Sequence, residues 1–304
     1  MGKPNVIAGY DAQVTKDCER VLVTLLRGLG PWKTSVFLIG GLAPRYIVKR
    51  KPPDVPPHAG TADIDIVVDM AILAETDAYR TLEDNLKHMK FERAENQDGN
   101  KVSWRWKTKT EKGTTIIVEF LADDPAVGGG KLQELPTKGD VTAINIPHAS
   151  MVFDLHDKTD VTAELLGGGG KSTEVVAYAD IVSFTTLKAF AFDQRAERKD
   201  AHDIVYCLEN VDGGATSAVP AFLKALKGKH GGPVKEGLDI LRRRFVTGEE
   251  ARGFEKDGPI AVAQFEIDDD SADGREARVL RQRLASEIVS RLLEAIDNGE
   301  VLPR

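Results

Sequence analysis

The chain has 304 residues, enough for one large domain or two medium ones with a proper core, and its 41% hydrophobic and 29% charged fractions are those of an ordinary soluble protein. A net charge of −7 excludes a globally basic nucleic-acid binder but leaves room for a local basic face. The longest apolar runs, Val36–Leu42 and Ile260–Ala263, fall far short of the roughly 18–20 residues of a membrane span. Met1-Gly2-Lys3-Pro4 leads into polar sequence, so the expectation is a cytoplasmic protein with no membrane partner. Cys18 and Cys207, far apart and outside any CxxC or Cys/His cluster, argue against a disulfide framework or a zinc site.

In chain order, residues 17–29 have helical spacing, with Val21, Leu22, Leu25 and Leu26 on one face, and Gly30-Pro31 ends the helix. Residues 35–39 read as a buried strand running into Gly40-Gly41. Residues 50–60 hold five prolines or glycines and read as a surface loop. Ile64, Ile66 and Val68 alternate with Asp63, Asp65 and Val67, which is strand periodicity. A helix is expected at 71–90, strands at 102–108 and 115–121, loop with short extended pieces at 123–150, and strands at 150–154 and 161–165. Asp180 caps a helix at 181–192, and further helices are expected at 199–210, 216–227, 234–245 and 274–297. The order is α, then mostly β, then all α, which suits an α+β core followed by a helical domain.

Four segments carry chemistry. Gly40-Gly41 closes a strand, where glycines let the backbone approach a phosphate with its N–H groups directed at it; a purely steric turn is the alternative. Asp63 and Asp65, at i and i+2 of a strand, share a face, and two carboxylates that close call for a cation; oxygen ligands suit Mg²⁺ or Mn²⁺. Glu119 is the single acid in the apolar strand Ile116–Leu121, so it faces either solvent or the metal as a third carboxylate. Lys188 lies on the helix side carrying Phe184, Leu187 and Ala191, with snorkelling to the surface as the alternative to a functional cation. Asp200 and Asp203 share a face at i, i+3, and the alternative for them is ion pairing with Arg195 or Arg198. Lys49-Arg50-Lys51 and Arg242-Arg243-Arg244 are either solvated clusters or phosphate-binding faces. Gly167–Ser172 imitates a phosphate loop, but Leu165 stands where that pattern needs Gly and the sequence after it is strand-like, so a hairpin turn is expected.

Together the Gly-Gly turn, the Asp-Ile-Asp strand and the downstream acidic strand resemble the polymerase-β nucleotidyltransferase pattern. The spacer departs from it, with 21 residues between Gly41 and Asp63 where that superfamily has few. The Leu187-Lys188 helix face followed by Arg198-Lys199-Asp200 and Asp203-Ile204 resembles the AbiEii/MenT-type nucleotidyltransferases, toxins of abortive-infection and type IV toxin–antitoxin systems. The likeness spans about 36–210, and the remainder matches only as helical. It implies a polymerase-β-like α+β core (a mixed sheet with flanking helices) over 1–178 and a helical domain over 179–304 that contributes Lys188 and Asp203 to the cleft. It further implies that Asp63, Asp65 and Glu119 hold Mg²⁺ or Mn²⁺. Gly40, Gly41, Arg45 and Lys188 would hold the nucleotide, and Asp203, or else Asp200, would be a further required acid. The substrate would be an NTP, the acceptor the 3′ end of tRNA, and a cognate antitoxin a protein partner. A small-molecule (aminoglycoside-type) nucleotidyltransferase and an inactive nucleotide- or partner-binding homologue are the alternatives.

Overall fold

Alternation along residues 63–68 decides which side of the sheet is dry: Ile64 and Ile66 are fully buried, and Asp63 and Asp65 take the opposite face. The computed structural model describes residues 4–76, 81–96 and 98–299. Its strands are β1 (Val36–Ile39), β2 (Asp63–Val68), β3 (Glu92–Glu95), β4 (Lys101–Lys109), β5 (Thr115–Ala122), β6 (Leu132–Glu134), β7 (Thr142–Asn145), β8 (His156–Glu164) and β9 (Lys171–Ala179). They form one sheet in the order β3-β4-β5-β2-β1-β9-β8, with β6 and β7 joined beside β5. The β1–β9, β2–β5 and β5–β7 pairs are parallel and the others antiparallel, so the sheet is mixed and the fold is α+β.

The sheet belongs to a unit made of residues 11–43 and 60–179. Helix α1 (Ala12–Leu29), capped by Asp11 accepting from Gln13 N, covers its dry face. Leu22 and Leu26 meet Val36 and Leu38 of β1, Ile66 of β2 and Val176 of β9. Each such leucine contributes about 1.5–3 kcal/mol by leaving water. The helix expected at 71–90 is two helices here, α3 (Met70–Glu75) and α4 (Leu82–His88), the latter begun by a Thr81/Asp84 capping box; residues 77–80 of that expectation lie outside the described residues. The strand expected at 150–154 is instead a 3₁₀ turn, Ala149–Phe153, entered through His148 at φ 67°. A short apolar run suits either form, and here all three of Ala149, Met151 and Val152 are buried from a turn.

The second unit gathers residues 4–10, 44–59 and 180–299. Its helices are α2 (Pro44–Ile47), α5 (Ile181–Arg195), α6 (Arg198–Asn210), α7 (Val219–Leu226), α8 (Gly231–Phe245), α9 (Asp257–Glu266) and α10 (Ala272–Asp297). Phe184, Phe192, Phe222, Phe245 and Phe265 are fully buried among them. Sequence reading assigns 1–10 and 44–59 to the sheet domain, whereas residues 4–10 and 44–59 group with the helices. The Pro-rich spacer is tied there: Tyr206 donates to Pro56 O (3.0 Å) and Arg50 to Asn210 O (3.3 Å). Among the described residues no helix is long and apolar enough to cross a membrane.

Candidate carboxylate site

Register around β2 builds the site in the sheet unit. Asp65 stands opposite Ile39 of β1 on one side and opposite Glu119 of β5 on the other. Directly opposed residues share a face, as do i and i+2, so Asp63, Asp65 and Glu119 lie on the one side of the sheet away from α1. Strand geometry separates the Asp65 and Glu119 backbones by about 4.8 Å, and those of Asp63 and Asp65 by about 6.7 Å.

The Gly-Gly turn touches this row. Gly40 has φ 71°, and a Cβ there would sit 1.8 Å from Asp65 Oδ2, so the position needs glycine both for its backbone and for the carboxylate packed against it. Gly41 follows, buried in the same 3₁₀ turn. Asp63, 9% exposed, is held from before: its N–H donates to Thr61 Oγ1 (3.3 Å), and that hydroxyl donates to Asp63 O (3.2 Å). Thr61 is itself fixed to α1, its N–H donating to Thr15 Oγ1 (3.1 Å) and its carbonyl accepting from Cys18 Sγ (3.5 Å). Burial, then the charges of Asp63, Asp17 and Asp65, pushes the Cys18 thiol far up, which leaves it an inert thiol under the acids.

Glu119 has a cation beside it. Arg105 stands directly opposite on β4, with Nε 2.8 Å from Glu119 Oε1. Sequence reading passed over Arg105; the available signal was the alternation Lys101, Arg105, Lys107, Lys109 within a strand otherwise marked by its tryptophans. Three carboxylates on one face offer only oxygen donors, which fits Mg²⁺ or Mn²⁺ and suits neither zinc nor copper.

The remaining expected residues meet in the helical unit as a buried ion-pair cluster. Lys188, 8% exposed, spends two of its three donors on Asp200 Oδ1 (2.8 Å) and Asp203 Oδ2 (2.7 Å). Asp200 also takes Arg195 Nε (2.7 Å), and Asp203, wholly buried, takes Lys199 (2.8 Å) and His58 Nε2 (2.8 Å). Burial acts to raise the Asp203 carboxyl, but Lys188, Lys199 and His58 outweigh it and hold it well below the usual range. Burial pushes His58 down to about 3 despite its Asp203 partner, so its imidazole is neutral. The geometry therefore realises the Arg195 pairing for Asp200, pairs Asp203 with Lys188, Lys199 and His58 in place of either arginine, and gives Lys188 a structural partnership in place of open solvent. Arg45, half-buried on α2, belongs to this same unit.

His58, His202 and Asp203 have donor atoms within 4.8 Å of one another, the arrangement of a possible metal centre. The charges do not fit one: two ammonium groups already occupy Asp203, and a divalent ion would have to displace Lys199. Arg242–Arg244 and, of the other basic run, Arg50 and Lys51 are engaged locally, while Lys49 is exposed. Arg242 pairs with Asp297 (2.9 Å), Arg243 with Asp193 (2.8 Å) and Arg244 with Asp257 (3.0 Å), while Lys51 donates to Val48 O (3.0 Å). Gly167–Gly170 is the turn of the β8–β9 hairpin, closed by Leu165 N to Gly170 O at 2.7 Å. Compared with protein-family models, curated proteins and solved structures, the chain finds no match.

Proposed function

We propose that the chain is a metal-dependent nucleotidyltransferase with a polymerase-β-like core, moving a nucleoside monophosphate from an NTP to an acceptor at Asp63, Asp65 and Glu119. The observation that carries this reading is the in-register row of three carboxylates against a glycine turn whose Gly40 admits the Asp65 side chain. Asp63, Asp65 and Glu119 would hold the divalent ions. When bound, such ions neutralise the attacking and leaving oxygens of an in-line displacement. The acceptor hydroxyl oxygen forms the new bond to the α-phosphorus, the bond to the pyrophosphate oxygen breaks, and Glu119 takes the hydroxyl proton. Gly40 and Gly41 donate backbone N–H groups to the triphosphate. Lys188 and Asp203 enter as a structural pair that fixes α5, α6 and His58 in the helical unit.

The acceptor in this reading is the 3′ end of tRNA, and the biological role that of a toxin with a cognate antitoxin. Incubation with each labelled NTP, total tRNA and Mg²⁺ or Mn²⁺ tests it: label must enter tRNA, and must vanish in Asp65→Asn. A small cationic acceptor is the second reading, favoured by the neutralised Arg242–Arg244 run. Label incorporated into an aminoglycoside and not into RNA selects it. Absence of turnover with every NTP and either metal leaves only the inactive homologue.

A further inference from the structure

The carboxylate face does not stop at Glu119. Register places Arg105, Lys107 and Lys109 of β4 opposite Glu119, Ile117 and Thr115 of β5, and alternation adds Lys101 and Ser103 to the same side. The opposite side of β4 holds the buried Trp106 and Thr108, so the row cannot turn inward. β4 thus shows four cations in line, in the same sheet face as Asp63, Asp65 and Glu119.

The middle of the row is braced and its ends are open. Arg105 is held by Glu119, and Lys107 by Glu95 (2.6 Å) and Glu92 (3.7 Å) on β3. Lys101 and Lys109 are exposed, and no ion pair to either is present among the described residues. Eight residue steps from Lys101 to Lys109 span about 27 Å, several times the length of a triphosphate. A divalent ion on Glu119 would also compete with Arg105 for that carboxylate and leave the guanidinium to another anion. Length and charge together fit an extended polyanion better than a single nucleotide.

We propose that the β4 row Lys101–Arg105–Lys107–Lys109 is the binding track for the phosphodiester backbone of a single-stranded nucleic-acid acceptor, whose end lies at the carboxylates. This rests on the nucleotidyltransferase reading for its direction, not for its binding chemistry. The test is Lys101→Glu/Lys109→Glu, two exposed positions whose exchange leaves the packed face of β4 untouched. Anisotropy of a short fluorescent single-stranded RNA, with Mg²⁺ and without NTP, is measured across salt concentrations, beside the affinity for a fluorescent ATP analogue.

The expected result is an RNA affinity lower by about tenfold or more and a log–log salt slope shallower by about 1.4, two phosphate contacts at about 0.7 each. ATP-analogue affinity stays at the wild-type value. Unchanged RNA affinity and slope overturn the proposal, and so does a loss confined to the ATP analogue, which makes the row a triphosphate site. Because RNA binding is read without turnover, the two readings fail separately. Track-dependent binding in a protein that labels no acceptor sinks the transferase and keeps the track.

Discussion

Lys188→Met separates a phosphate ligand from a structural cation. Methionine keeps the length but removes an ammonium that lies 2.8 Å from Asp200 and 2.7 Å from Asp203, both buried, and 5.9 Å from the Phe184 ring centroid. Removing one member of a buried ion pair costs about 3–5 kcal/mol, because the partner keeps its desolvation penalty. Here Asp200 retains Arg195 and Asp203 retains Lys199 and His58, so the loss belongs at the low end, about 3 kcal/mol. At about 2–4 °C per kcal/mol, the melting temperature falls by about 6–12 °C. Thermal unfolding followed by circular dichroism, with ATP-analogue binding measured well below the transition, reads both roles. A melting temperature within a degree of wild type together with weakened nucleotide binding would falsify the structural assignment and restore Lys188 to the phosphates.

Three other outcomes follow from the same geometry. Asp63→Asn and Asp65→Asn, which keep shape and remove charge, should each abolish nucleotide transfer and weaken Mn²⁺ binding measured by electron paramagnetic resonance, with the melting temperature held or raised; intact Mn²⁺ binding in the double variant would sink the metal site. Gly40→Ala forces a left-handed alanine, costing about 1–2 kcal/mol, and drives its Cβ onto Asp65 Oδ2, so Mn²⁺ affinity and stability should drop together; a neutral result in both would show that the turn relaxes freely. Acid should destabilise the helical unit in two stages. His58 stays neutral when folded down to about 3 but takes a proton near 6.5 when unfolded, so stability falls as pH drops through that window. Asp203, depressed when folded, adds a loss only below the ordinary carboxylate range, as pH falls towards its folded value. His58→Gln should flatten the first stage; an unaltered melting-temperature profile between pH 6.5 and about 4 would rule out His58 as its source.

Period alone located β1, β2, β5, α1, α5, α6, α8 and α10, because each has a wide apolar face or a full apolar run. β3 left no such trace: Glu92-Arg93-Ala94-Glu95 is a strand only because β4 pairs with it. α9 was passed over for the opposite reason. Pro259-Ile260-Ala261-Val262-Ala263 is buried nearly all round, so it has no polar side from which a helical period could be read, although Pro259 in its first turn is a helix-start signal.

The site divides along the same physical line. That Asp63 and Asp65 share a face follows from two residues of spacing on one strand, and the sequence carries that outright. That Glu119 joins them, with Arg105 beyond it, depends on which strands pair and in what register, and a slip of one residue would turn Glu119 away. The His58–Asp203 and Tyr206–Pro56 contacts are farther still from local reading, being 145 and 150 residues apart in the chain. The long spacer between the glycine turn and Asp63 looked like an inserted surface loop because its prolines break every period. It is a strap instead. It is tied to α6 through His58, bonded to Asp203, and Pro56, accepting from Tyr206, and the charged residues of α6 read in isolation as catalytic because a buried acid surrounded by cations has the same composition as an active site.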